Sequence, residues 1–323
     1  MTLKINYISY VDPTRHQGGG EMVGLDIIRA AKARGHSISI TSARPSKRIE
    51  FDQSADLDLV VDLFNYPGTL KSLGSWRDFG DEFREKILRR KKFVHLTNAY
   101  SDVCNEPYLP CSGFSKVECP SKSIFNIASN LALKDFSGRC FSTRTQILDF
   151  FSQSRLNIFV SPLHRDTSLR ILNLSNSPPS YVLKPTVDKS RFFNQNLERD
   201  IEYLFVGVIG EAKGLKNMRQ RFAKSDIHFA GSLFPGAKLD FGTHHGTVLY
   251  DQVPILMNRA KNFVFLPRWP EPQGRVVIEA ALCGCNLIVN ENVGACSFPF
   301  DISNPQNFDN PTQEFWDEIE KVL

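Results

Sequence analysis

The sequence predicts an α/β protein of two Rossmann-like, doubly wound halves that face a central cleft. Three observations predict it. Short apolar strands alternate with amphipathic helices through the first half. A polar, proline-bearing stretch, LSNSPPSYVLKPTVDKS (174–190), then breaks the pattern, and the same rhythm restarts at Ile201. Such alternation builds parallel sheets covered by helices on both faces.

Taken in order, Lys4 to Tyr10 reads as an apolar strand and DPTRHQGGG as a turn. EMVGLDIIRAAKARG follows, with Met22, Val23, Ile27, Ile28 and Ala31 at helical spacing. Gly35 caps that helix, and HSISIT (36–41) is a second strand, which completes a β-α-β unit. Further strands are expected at Leu57–Phe64, Lys92–Thr97, Lys116–Cys119 and Leu156–Val160. The restart supplies IEYLFVGVIG, DIHFAGS, NFVFLP and NLIVN. TQEFWDEIEKVL closes the chain as a helix with Phe315, Trp316, Ile319 and Val322 on one side. These features divide the chain into residues 1–185 and 186–323, with a hinge near the proline-bearing stretch.

Composition narrows the function. The 323 residues are 41% hydrophobic and 23% charged, ordinary globular material with enough length for two cores. A net charge of +4 excludes a polybasic protein and leaves any anionic partner to be met locally. The amino-terminal apolar run is too short for a secretory signal, and no stretch approaches the roughly 20 apolar residues of a membrane span. The expected location is cytoplasmic, with reduced thiols for the seven cysteines. Cys104, Cys111 and Cys119 are spaced more widely than the tight pairs of zinc sites, and the adjacent His244 and His245 do not make a metal site either, so no metal is expected. The run Arg84 to Lys92 is a candidate face for peripheral membrane or nucleic-acid contact, its alternative being a solvated helix face.

The chemistry concentrates in EPQGRVVIEAALCGCNLIVN (271–290), where Glu271 and Glu279 are separated by seven residues. Glu271 falls just past the carboxyl end of a strand, and Glu279 about two turns into the next helix if that helix starts near Gln273. The loop and helix start between them expose backbone N–H groups suited to a pyrophosphate. Gly18, Gly19 and Gly20 can bring bare amides close to the phosphates or sugar of a ligand, because glycine has no Cβ and tolerates positive φ. No spaced G-x-G-x-x-G is present, which argues against a nicotinamide-dependent enzyme.

This segment resembles the E-x7-E signature of the large GT-B family of retaining glycosyltransferases, commonly EGFGxxxEAxxxGxPVI. VLKPTVDKSRFF resembles its interdomain PNGVDxxxF element, and LFVGVIGEAKGLKN its donor-phosphate GRLxxxKGxxxL. HQGGG with the following helix and ARGHSISI resembles its opening glycine loop, so the likeness spans nearly the whole chain.

The resemblance implies a GT-B fold and transfer of a sugar from a UDP- or GDP-linked donor to a hydroxyl acceptor, with retention and without a required cofactor. The acceptor implied is a saccharide or glycolipid, with a hydroxylated DNA base as the less ordinary case. Glu279 then matches the ribose-binding glutamate, Glu271 the residue meeting the donor sugar, and Lys213 the lysine that neutralises the diphosphate. Gln273 and Gly274 stand in the donor loop where the family usually has phenylalanine and glycine. Val208 stands where it usually has a phosphate-binding arginine, and Arg275 is the preferred substitute ahead of Arg268 and Lys184. Relatives carry a histidine near the donor sugar; here Thr97 or Asn98 aligns there, with His95 two residues earlier and His16 beside the glycine loop completing the sugar- or acceptor-proximal set. The departures keep a rival open, a nucleotide-sugar-binding protein of the same fold without turnover.

Overall fold

The computed structural model describes residues 2–9, 11–15, 18–42, 52–62, 85–100, 103, 108–109, 116, 143–173 and 178–323. His16, Arg84, Cys104, Cys111, Cys119, Cys140 and all but Lys116 of the strand expected at Lys116–Cys119 lie outside them.

The first sheet contains β1 (Lys4–Ser9), β2 (Ser37–Ser42), β3 (Leu57–Val61), β4 (Phe93–Thr97), β5 (Asn157–Phe159) and β6 (Ser180–Val182). Its order is β2-β1-β3-β4-β5-β6 and every pairing is parallel. Strand β6 was not expected. It lies inside the stretch read as hinge, where Asn157 pairs with Ser180 directly after Pro178 and Pro179. An edge strand tolerates prolines at its start because only one of its sides must supply ladder donors.

The second sheet holds β7 (Ile201–Val206), β8 (Ile227–Ala230), β9 (Thr243–His244), β10 (Ala260–Phe265) and β11 (Asn286–Val289), ordered β11-β10-β7-β8-β9 and again parallel. The helices used below are α1 (Gly19–Ala33), α2 (Thr143–Gln153), α3 (Pro162–Leu172), α4 (Leu215–Phe222), α5 (Val253–Arg259), α6 (Arg275–Leu282) and α7 (Pro311–Glu320). Helix α3 shows how local sequence sets a boundary. Ser161 accepts from the His164 amide at its start, Pro162 needs no donor there, and Asn173 ends it in the left-handed region at φ 50°.

Each sheet has its own core. Ile5, Ile27, Leu59, Leu96 and Ile158 belong to the first; Leu204, Phe229, Phe263, Val277 and Ile278 belong to the second. Helix α7 crosses back: Phe315, Trp316 and Ile319, all fully buried, belong to the first core although the chain has just left the second. Trp316 Nε1 donates to the Ile27 carbonyl at 3.0 Å, and Arg34 pairs with Asp317 at 2.6 Å.

The basic run turns partly inward. Arg90 Nε donates to the fully buried Asp58 at 2.6 Å, and Lys92 donates to the Ala55 carbonyl, so two of its cations are committed to the fold. Among the described residues no helix is long and apolar enough to cross a membrane.

Candidate active site

In the second sheet the chain winds from β7 toward β8 on one side and from β10 toward β11 on the other, so the order reverses between β7 and β10. A crevice opens at the carboxyl ends of two strands related in this way. The loops after β7 and β10 are held against each other there. Arg268 N donates to Ala212 O at 2.9 Å and Asn217 Nδ2 to Leu266 O at 3.0 Å. Gly214, at φ 95°, lies so close to the Leu266 carbonyl that a Cβ would sit 2.0 Å from it. Only glycine permits that approach, which places Lys213 over the strand ends.

Lys213 Nζ lies 2.6 Å from both carboxylate oxygens of Glu271. It also sits 5.4 Å from the Trp269 ring centroid and 5.7 Å from that of Phe265. Glu271 is fixed by its backbone as well: its amide donates to Asn292 O at 2.7 Å, and its carbonyl accepts from Gly294 N at 3.0 Å. An ammonium has three N–H donors, and these contacts use two.

Three residues on, Gly274 in the left-handed region (φ 72°) caps α6, so the helix begins at Arg275. Glu279 is therefore just over one turn into the helix, shallower than the two turns expected. Its Oε1 accepts from Arg275 Nε at 3.1 Å and from Tyr250 Oη at 3.2 Å. Burial pushes the Glu279 carboxyl above its ordinary range, opposed by the Arg275 charge and the Tyr250 hydrogen bond. Arg275 is 9% exposed and its Nη1 is buried without a hydrogen-bond partner among the described residues. The other two substitutes considered for the cation missing at Val208 are engaged in ion pairs, Arg268 with Glu211 at 3.0 Å and Lys184 with Glu314 at 2.8 Å. Val208 itself is exposed.

The first half meets this crevice through its own carboxyl-end loops. Gln273 Nε2 donates to Val160 O at 3.0 Å, Ser161 Oγ donates to Pro272 O, and Leu163 N donates to Ser297 Oγ at 3.0 Å. Tyr100 and Tyr108 pack edge-on against Trp269, with centroids 5.8 and 4.9 Å away. Sequence reasoning named none of Ser161, Tyr100, Trp269 or Tyr250. Trp269 alone had a signal, its place two residues before Glu271.

The remaining expectations divide. Gly20 and Asn98 come together, since a Cβ on Gly20 would lie 3.3 Å from Asn98 Nδ2. Asn98 in turn donates from N and Nδ2 to Asp62 at 2.7 and 2.8 Å. Gly18, Gly19 and Gly20 do not use positive φ; Gly18 is extended at φ −88° and caps α1, so what the loop uses is absence of bulk. Thr97 is buried and donates to Ala99 O at 2.7 Å. His95 is fully buried inside β4, edge-on to Phe150 and Phe151 at 5.0 and 4.8 Å, which puts it in the interior of the first half. His244 bonds Gly231 O at 2.8 Å, and His245 meets His228 at 2.9 Å. Among the described residues no cluster of three His, Cys, Asp or Glu is arranged to hold a metal ion. Burial raises the Cys283 and Cys285 thiols to about 12 and about 11, which keeps both protonated.

His164 carries a pH prediction. It is fully buried, edge-on to Tyr100 at 4.7 Å and Phe159 at 5.6 Å, and burial lowers its pKa to about 3. The unfolded chain takes up this proton below 6.5 while the folded chain does not, so stability falls as pH drops from 6.5 toward 3. The expected slope from this residue is about 1.4 kcal/mol per pH unit. Urea titrations of wild type and His164→Phe at pH 7 and 4.5 check it: the variant loses this share of the acid sensitivity, and an equal sensitivity refutes the assignment.

No family model matches the chain, and no curated protein matches it in sequence. Solved structures do match. Sucrose-phosphate synthase (tll1590) from Thermosynechococcus elongatus superposes with a TM-score of 0.61 at 14% identity, covering 99% of this chain and 94% of the other. Alr3699/HepE of Anabaena, in complex with UDP and glucose, gives 0.51 at 14% identity over 99% and 92%. T4 phage BGT, in complex with its UDP-glucose substrate, gives 0.53 at 10% identity over 99% and 89%. Identities this low speak for the fold: the chain has the two-domain GT-B fold, matched over 99% of its length.

Proposed function

We propose that this protein is a glycosyltransferase of the retaining E-x7-E type, moving a sugar from a nucleoside-diphosphate donor to a hydroxyl acceptor. The observation that carries the proposal is the Lys213–Glu271 pair at the β7/β10 crevice, beside the amino end of α6. The third N–H of Lys213 and the α6 start suit a diphosphate, whose negative charge grows as the glycosidic bond breaks. The UDP-glucose bound by T4 phage BGT favours a UDP-sugar over a GDP-sugar.

In this reading residues 186–323 hold the donor and residues 1–185 the acceptor, with α7 strapping the second unit to the first. Glu279 meets the ribose hydroxyls, Arg275 and the Gln273–Gly274 loop the phosphate side, and Glu271 the sugar. The Gly18–Gly20 loop approaches the donor's phosphates or sugar, and Asn98 lies on the sugar or acceptor side. The acceptor oxygen bonds to the anomeric carbon as the bond from that carbon to the β-phosphate oxygen breaks. The acceptor proton passes to the leaving diphosphate, so no side-chain base is needed. A saccharide or glycolipid is the acceptor this reading favours.

A panel of UDP- and GDP-sugars, assayed for nucleoside diphosphate release with and without saccharide acceptors, tests the proposal. Release from one donor, raised by an acceptor, is expected. Thermal stabilisation by a nucleotide sugar with no release or transfer would instead favour the binding-protein reading, which the uncharged Val208 supports. Glu279→Gln is expected to weaken nucleoside diphosphate binding by about 1 to 3 kcal/mol, as for lost hydrogen bonds to a charged group. Calorimetry measures it, and an unchanged affinity removes Glu279 from the site.

A further inference from the structure

The hydrogen bonds on Glu279 are unevenly placed. Arg275 Nε at 3.1 Å and Tyr250 Oη at 3.2 Å both fall on Oε1, and among the described residues Oε2 accepts none. One donor comes from the same helix, four residues back. The other comes from the turn before α5, 29 residues upstream, so two independent elements clamp one oxygen. Tyr250 is itself held: the Arg191 guanidinium lies 4.9 Å over its ring while pairing with Asp251, and the Phe192 ring packs edge-on at 5.6 Å. Burial and the neighbouring Glu279 charge raise the Tyr250 hydroxyl, so it stays protonated and acts as the donor of this bond. A carboxylate with one oxygen clamped cannot rotate about its terminal bond, and it presents the other oxygen at a fixed angle.

We propose that Tyr250 is a positioning residue for sugar-ring recognition on the nucleotide: it holds Glu279 so that Oε2 alone meets the ribose diol, which makes the site selective for ribonucleotides over 2′-deoxyribonucleotides. The proposal rests on the ribose role given to Glu279 above. A free carboxylate could turn to meet a single remaining hydroxyl nearly as well as a diol. A clamped one loses a bond it cannot replace, and a hydrogen bond to a charged group makes the difference about tenfold or more in affinity.

The test is a set of calorimetric titrations with UDP, GDP, ADP and CDP and the 2′-deoxy form of each. Wild type, Tyr250→Phe, Glu279→Gln and the double variant are compared, with melting temperatures as the check on folding. Wild type is expected to prefer one ribonucleotide over its 2′-deoxy form by about tenfold or more. Tyr250→Phe, which removes one oxygen from a half-buried ring, is expected to bring that ratio below about threefold at an unchanged melting temperature. The double variant is expected to show no more loss of selectivity than Glu279→Gln. A purely structural Tyr250 would weaken both ligands together and leave the ratio alone. If Glu279→Gln abolishes the preference while Tyr250→Phe keeps it, the clamp is refuted and the ribose role of Glu279 stands. If wild type shows no preference, or binds none of the ligands, the ribose role falls and the clamp with it.

Discussion

Lys213→Ala is expected to lower kcat by about a hundredfold to a thousandfold, the cost of losing one preorganised charge at a developing anion. The effect has two parts. On the proposed reading the variant removes the cation that meets the diphosphate as the bond to the sugar breaks, and it leaves Glu271, 9% exposed, without the partner that lies 2.6 Å from both its oxygens. The uncompensated carboxylate would sit beside the leaving group and repel it. Donor affinity should fall less than turnover, because the charge of the leaving group is greatest in the transition state. Steady-state kinetics beside calorimetric donor binding separate the two. A Lys213→Ala enzyme with wild-type kcat would remove Lys213 from the chemistry. Lys213→Met, which keeps the stem packed near Trp269 and Phe265, should behave the same way if charge is the cause.

Trp316→Ala should destabilise the protein by about 3 to 5 kcal/mol, the range for emptying a buried aromatic site. The indole is fully buried and contacts the His36 and Phe315 rings at 5.4 and 5.2 Å. Its Nε1 bond to Ile27 O reaches into the middle of α1, so the lost volume lies between two helices that cannot both close in. The damage should be located in the first half although the mutation is seven residues from the carboxyl end. Urea denaturation followed by tryptophan-independent circular dichroism reads the loss, and hydrogen exchange reads its location. A cost below about 1 kcal/mol would mean α7 is docked too loosely to fill that site.

Helix α7 also shows where sequence reading stops. The stripe of Phe315, Trp316, Ile319 and Val322 was legible as one apolar face, because a 3.6-residue period needs only the local sequence. Which core that face covers was not, since the period is the same for either sheet. Strand β6 was hidden for a different reason: three residues after two prolines are too few to show alternation, and the pairing with β5 supplies what SYV lacks. The reversal point between β7 and β10 could be reached only once strand order was known, yet Lys213 and Glu271 were both identifiable from motif register before it. Tyr250 was not. An aromatic residue 29 positions before Glu279 has no spacing that links the two, and only the turn before α5 brings its hydroxyl to the carboxylate. Conversely, the strand-end alignment fell on Thr97 or Asn98 and kept His95, two residues earlier, in the candidate set, while nothing local showed Phe150 and Phe151 closing over it from α2.

The most direct test of the donor site is a crystal structure of the protein soaked with the nucleoside diphosphate that most raises its melting temperature. The expected density places the diphosphate against Lys213 Nζ at the β7/β10 crevice and the ribose hydroxyls on Glu279 Oε2. A bound nucleotide elsewhere, or no nucleotide that binds the crevice at all, would contradict the account.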